Sequence, residues 1–311
     1  MRPFALLSIF GVLLFCSPAQ AFDACTDGKD YTPVNKRYTK GLLFKIEKCH
    51  EPVSYVFGTT HLARPDVEAA AAGAFTALKQ VQEAGFELSE SGDELEGSFF
   101  KYAYAPAGPE HQLSHVLGAE YYNKLVAELG FLSFLHGNYI KPEILQRLQP
   151  WAVLDLLEVV NEQQGMVLDE KLQVAATLTK KPVFGLETVE EQAQVFSTLP
   201  EAIQLRMLRE MIDHYPEFMK AETDMIKAYV AQDGNTIMAL DKQNITEGDK
   251  DLDDMMEDRM ITKRNIVMAQ RLLPRLKSKS ILLSVGVAHL LGEKGLLHLL
   301  EKDGYFVTPM P

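Results

Sequence analysis

Val56-Phe57-Gly58-Thr59-Thr60-His61-Leu62 and Ile281-Leu282-Leu283-Ser284-Val285-Gly286-Val287-Ala288-His289-Leu290 decide the fold. Each is an apolar run of the kind that forms a buried strand, and each closes on Gly-x-x-His. A glycine at a strand end permits a tight turn or a close approach by another group. A histidine three residues later falls in the loop at the strand's carboxyl end, where open α/β sheets hold their ligands. Two such histidines can converge on one site. Taken singly, each reads more readily as a hydrogen-bonded structural residue, so the matched context of the two copies carries the inference.

Around the first copy, Gly41–Lys48 and Val53–Phe57 read as a β-hairpin, with polar residues at His50-Glu51-Pro52 between them. Pro65 and the acids Asp66 and Glu68 start a helix that runs to about Glu83. Gly85–Glu90 then alternates as a short strand, with Glu90 at its end and Glu87 within it. Strand, helix, strand is a βαβ unit, whose strand ends lie on one edge. Around the second copy, strand Ile281–Val285, helix Leu290–Glu301 and strand Tyr305–Thr308 make a second βαβ-like unit. The expectation is an α/β protein: two βαβ-like halves forming a central mixed sheet, with a largely helical middle region over about residues 100–231.

Within that middle region, Glu120–Leu129, Trp151–Glu162, Asp169–Thr179 and Ala202–Val230 have helical spacing, the last with a break near Pro216. Lys181–Glu187 interrupts them as a strand, and Thr188 with Glu191 forms a capping box for the next helix. The acidic run Asp249–Asp258 lacks the glycine and spacing of an EF-hand loop and reads as a helix amino terminus. In the helix after it, Met256, Met260, Arg264, Met268 and Leu272 recur at steps of four. Arg264 therefore interrupts an apolar stripe. It either reaches out to solvent along its stem or points inward to an anion.

The amino terminus has the form of a cleaved secretory signal: Arg2, an apolar run from Phe4 to Phe15, and Ala19-Gln20-Ala21. The expected organisation is a signal over residues 1–21 and a single domain over 22–311, placed in the periplasm or secreted. Cys25 and Cys49 then remain as an even pair, which in an exported chain predicts a disulfide. No later stretch is apolar and uncharged over about 18 residues, so no stable membrane insertion is expected. The chain's net charge of −12, one unit more negative without Arg2, argues against nucleic acid and anionic membranes as partners.

Together these residues resemble the TraB/GumN family, which includes the Tiki-type proteins. The resemblance runs from about Leu42 to Val307. It rests on the two Gly-x-x-His runs, Pro150-Trp151, Gly185-Leu186-Glu187-Thr188 with Glu191-Gln192, Arg264-Asn265 and Gly304-Tyr305-Phe306-Val307. It implies a metal-dependent protease with both motif histidines and a glutamate at the metal. Carried onto this chain, the metal ligands are His61, Glu90 and His289, with Glu87 open as the alternative acid. Glu90, Arg264 and Asn265 are the expected catalytic residues. Two imidazoles and a carboxylate suit a divalent metal such as Mn, Co or Zn and leave a position for water. The resemblance implies a peptide or another small substrate, whose identity the sequence does not give. The alternative is a non-catalytic protein that binds or sequesters haem or a peptide, since two histidines also ligate haem iron.

Overall fold

The structure, a computed structural model, describes residues 24–26, 38–90, 92–136, 140–161, 165–241 and 249–310. The expected signal over residues 1–21 lies outside them.

Six strands form one mixed sheet in the order β4-β3-β5-β2-β1-β6. β1 (Leu43–Glu47) and β2 (Ser54–Thr59) are the expected antiparallel hairpin. β3 (Glu83–Phe86), β4 (Val183–Gly185), β5 (Ile281–Gly286) and β2 all run parallel. Their carboxyl ends therefore meet on one edge of the sheet. β5 lies between β2 and β3 and is buried from Ile281 to Val285, with Ser284 its one polar side chain, as suits a strand covered on both faces.

Three boundaries differ from the sequence reading. The first helix is split into Pro65–Ala70 and Ala72–Gln80, and it ends early enough for β3 to begin at Glu83. β3 consequently ends at Phe86, which places Glu87 rather than Glu90 first beyond the strand. In the second half, the expected helix Leu290–Glu301 forms only over Leu296–Lys302. Gly292 takes a φ of +80°, and a Cβ on Gly295 would lie 2.3 Å from the carbonyl oxygens of Leu290 and Leu291. The chain turns there instead of coiling. The last strand, β6 (Phe306–Met310), crosses over to pair antiparallel with β1, so the second half departs from a parallel βαβ unit.

One hydrophobic core lies on the sheet, joining Phe57, Leu282, Leu283 and Val285 to Leu272, Leu276, Leu297 and Leu300. A second core is helical and gathers Leu125, Trp151, Leu157 and Leu208. It draws on helices between Gly92 and Phe218 and on Leu252 and Met256, whereas Leu168, Leu172 and Ala176 join the sheet core; the break beside Pro216 falls at His214. Thr188 and Glu191 form the capping box in full. The acidic run opens the helix Lys250–Glu257, with the Asp249 carboxylate accepting the Leu252 N–H. Among the described residues no helix is long and apolar enough to cross a membrane. Cys25 and Cys49 are joined by a disulfide at the turn between β1 and β2, at the opposite end of those strands from His61. The one group of three metal-type donors lying within 4.8 Å of one another, among the described residues, is Cys25, Cys49 and His50. Its sulfurs are bonded to each other and offer no thiolate.

Candidate metal centre

Each of the four parallel strands delivers one polar side chain at its carboxyl end: His61 after β2, Glu87 after β3, Glu187 after β4 and His289 after β5. The parallel register brings Glu87 beside the end of β5, where its Oε1 accepts the Gly286 N–H at 2.7 Å. His289, 4% exposed in a short 3-10 turn, has Nε2 3.8 Å from the same oxygen.

The tautomer of His289 follows from its neighbours. Asn265 Nδ2 donates to the Lys294 carbonyl at 2.8 Å, which fixes Oδ1 as the other end of the amide. Oδ1 lies 2.7 Å from His289 Nδ1 and can only accept, so Nδ1 carries the hydrogen and Nε2 the lone pair. Burial, with the Arg264 charge, outweighs the attraction of Glu87 and pushes His289 down to about 4, so the ring is neutral at physiological pH. Burial also acts to raise Glu87. The charges of His289, Arg264 and His61 and the Gly286 N–H overcome it and hold Glu87 at about 2. At neutral pH, where His289 is uncharged, the Arg264 charge and the Gly286 N–H still favour the ionised carboxylate. The result is a lone pair on nitrogen facing an ionised carboxylate. At 3.8 Å the two are too far apart for a hydrogen bond. They are well spaced to share one cation, given metal–ligand bonds of about 2 Å.

Arg264 points inward, and the anions it meets are Glu87 and Glu187. Its Nη2 donates to Glu87 Oε2 at 2.8 Å and Glu187 Oε2 at 2.7 Å, and its Nε donates to Glu187 Oε1 at 2.9 Å. Nη1 returns to the Met260 carbonyl at 3.2 Å. That carbonyl belongs to a π-helical turn, Asp258–Thr262, inserted in the long helix. Turns of this kind are frequent at functional sites. Gln192 Nε2 joins the same carboxylates, at 3.0 Å from Glu87 and 3.2 Å from Glu187. Arg264 and Asn265, read from sequence as catalytic, thus touch Glu87 and His289 respectively and act through them.

Both motif glycines answer to close approach. A Cβ on Gly58 would lie 2.9 Å from Val287 Cγ2 and 3.1 Å from Leu290 Cδ1, side chains of the second motif. A Cβ on Gly286 would lie 3.1 Å from Glu87 Oε1. The first glycine makes room for the second motif, and the second makes room for the acid. Tyr229 Oη, donating to the Gly58 carbonyl at 2.8 Å, ties the helix Tyr215–Val230 to the same strand end.

His61 is the exposed member, with 61% of its side chain accessible. Its charge acts on both Glu87 and His289. Its nitrogens nevertheless stand outside the bite of that pair, because His61, Glu87 and His289 do not form a group with donors all within 4.8 Å. Its Nδ1 lies 3.0 Å from Asp169 Oδ2. Glu90, the acid expected from sequence, accepts from Ser89 Oγ at 3.1 Å and makes none of the described contacts to the histidines or Arg264. Sequence reasoning quoted Glu187 and Gln192 for the resemblance without giving them a site role, and read Asp169 only as a helix start. A signal for Glu187 exists: Phe184-Gly185-Leu186-Glu187, like Gly85-Phe86-Glu87, is a short apolar run ending on an acid.

A family model described as TraB/PrgY/gumN family matches residues 42–309. Metalloprotease TIKI1 of Xenopus tropicalis is 25% identical over 331 residues, a match covering 89% of this chain and 63% of the relative. Metalloprotease TIKI homolog of Amphimedon queenslandica is 26% identical over 188 residues, covering 52% of this chain and 37% of the relative. The chain thus spans less than two thirds of the length of these curated relatives. No solved structure matches it.

Proposed function

The chain belongs to the TraB/PrgY/gumN family, and we propose that it is an exported metal-dependent hydrolase of the peptidase type. The observation that carries the reading is the pair His289 Nε2 and Glu87 Oε1, 3.8 Å apart, one neutral with its lone pair exposed to the other and one ionised. We assign the acid of the centre to Glu87 in place of Glu90, with His61 as third donor brought in from the exposed loop after β2. The similarity to proteins named metalloproteases supports the same reading.

The donor set of two imidazoles and one carboxylate suits Mn, Co or Zn. A divalent cation held there supplies Lewis acidity at neutral pH. The chain's own residues do the rest. Asn265 and the Lys294 carbonyl keep the His289 lone pair on Nε2. Arg264, Gln192 and the Gly286 N–H keep Glu87 ionised and in place. The loop after β2 presents His61 to solvent. Export is part of the proposal, on the residue 1–21 pattern and on the Cys25–Cys49 disulfide, which persists in oxidising compartments.

The test is cleavage of a peptide library by the purified protein supplied with Mn, Co or Zn, alongside His289→Ala. The expected result is metal-dependent cleavage that the variant lacks. Cleavage absent with every metal, or equal in the variant, refutes the hydrolase. A Soret band in the purified protein points instead to a haem-sequestering protein. For export, amino-terminal sequencing is expected to begin near Phe22, and an intact Met1 in the soluble protein refutes it.

A further inference from the structure

We infer that Asp169 is the positioning residue for His61: its carboxylate selects which ring nitrogen carries the lone pair and holds the ring beyond the carboxyl end of β2. The inference rests on reading His61 as part of the centre proposed above. Asp169 is the second residue of the helix Leu168–Leu178, in the first turn, where a carboxylate is favoured. Both of its oxygens go to the end of β2. Oδ1 accepts from Thr59 Oγ1 at 2.7 Å, and Oδ2 meets His61 Nδ1 at 3.0 Å.

The two contacts have different jobs. Thr59 is the last residue of β2 and is 1% exposed, so its hydroxyl anchors the carboxylate to the rigid sheet. The anchored carboxylate then takes hold of a side chain on an exposed loop. An ionised carboxylate accepts hydrogen bonds and donates none, so Nδ1 of His61 carries the hydrogen and the neutral ring has its lone pair on Nε2. His289 reaches the same tautomer through the Asn265 amide. The two histidines of the repeated motif thus present the same nitrogen, fixed by unrelated partners on different helices. The partner of His61 is charged, which makes its ring the more basic donor. Partners of this sort commonly change metal affinity by about 10–100-fold when removed.

Two measurements on the full chain test this. The first is ¹⁵N NMR of the metal-free protein at a pH where His61 is neutral. Wild type is expected to show the Nδ1–H form. In Asp169→Asn the carboxamide can donate to Nδ1, and a mixture of tautomers is expected. The second is calorimetric titration with Mn, Co and Zn. Asp169→Ala is expected to weaken binding about 10–100-fold. Thr59→Val should weaken it less, and Asp169→Ala should add nothing in a His61→Ala background. Asp169→Asn, of nearly the same shape, carries the titration if the alanine variant fails to fold. An unchanged tautomer in Asp169→Asn, or affinity unchanged in the Asp169 variants while His61→Ala weakens it, overturns the inference. If wild type binds none of the three metals, the metal reading falls, and the tautomer comparison alone decides the role of Asp169.

Discussion

Replacing Arg264 by methionine tests the charge balance of the centre. The guanidinium stands between two carboxylates whose side chains are 12% and 3% exposed, Glu87 and Glu187, and is itself 17% exposed. Methionine keeps the apolar stem and continues the stripe of Met256, Met260 and Met268, so packing is little changed. What is lost is the cation. Breaking a buried ion pair by removing one partner costs about 3–5 kcal/mol, because the remaining charge is left without compensation. Here two carboxylates are left facing each other's neighbourhood, with Gln192 as a shared neutral donor, so we expect the upper half of that range at neutral pH. The double variant Arg264→Met/Glu187→Gln removes one of the stranded charges. It should be more stable than Arg264→Met alone, with a coupling of about 2 kcal/mol or more for groups in direct contact. Urea unfolding can be followed by the fluorescence of the single tryptophan, Trp151, which is 1% exposed in the helical core. Far-UV circular dichroism should report whether the sheet core unfolds with it, as two-state analysis requires. A loss below about 1 kcal/mol in Arg264→Met, or strict additivity in the double variant, would refute the argument that these carboxylates depend on Arg264.

Three further outcomes are expected. Gly58→Ala forces a methyl group against Val287 and Leu290; it should cost about 1–3 kcal/mol and weaken metal binding by displacing the second motif, and a neutral variant would show that the contact yields easily. Asp155, raised by burial to about 7, has a folded-state pKa above its unfolded value, so the stability it contributes is present below about pH 4 and lost as pH rises through about 7. Part of its surface remains accessible, so Asp155→Asn should gain about 2 kcal/mol over wild type at pH 8, with the gap closing at pH 4; a gap independent of pH contradicts this. Replacing Cys25 and Cys49 by serine opens a loop closed over a separation of 24 residues and should lower the unfolding free energy by about 3 kcal/mol while sparing the centre, which lies at the other end of the sheet; loss of metal affinity with unchanged stability would invert that expectation.

The parallel strands and their histidine loops were legible because the runs Val53–Phe57 and Ile281–Val285 are apolar on both faces and end in glycine. Arg264 was legible as an anomaly, a cation on a methionine stripe, although its partners were not. The strand end was misplaced for a physical reason. Residues 85–90 alternate like a strand, but the sheet uses Glu83–Phe86, where Ala84 and Gly85 are small enough to lie under their neighbours. A Cβ on Gly85 would meet the Phe184 ring at 2.6 Å, a contact across about a hundred residues that no local pattern records. Asp169 was missed on the same ground. It opens a helix of ordinary local character and meets His61 from far along the chain.

The placement of β5 between β3 and β2 fixes the order in which this centre can come into being. Ile281 N–H bonds to Ser54 Oγ, 227 residues earlier, so the middle of the sheet is filled by a segment synthesised long after the strands on either side of it. A chain emerging amino end first carries His61, Glu87 and Glu187 long before it carries Gly286 and His289. Until β5 threads between its neighbours, β2 and β3 lack the strand that joins them. Glu87 also lacks the N–H that anchors it. Every incomplete chain therefore lacks the assembled pair of Glu87 and His289. A chain arrested before Ile281 is expected to show no metal affinity and no protease-resistant sheet core, and retention of either would show that the early strands organise without their centre.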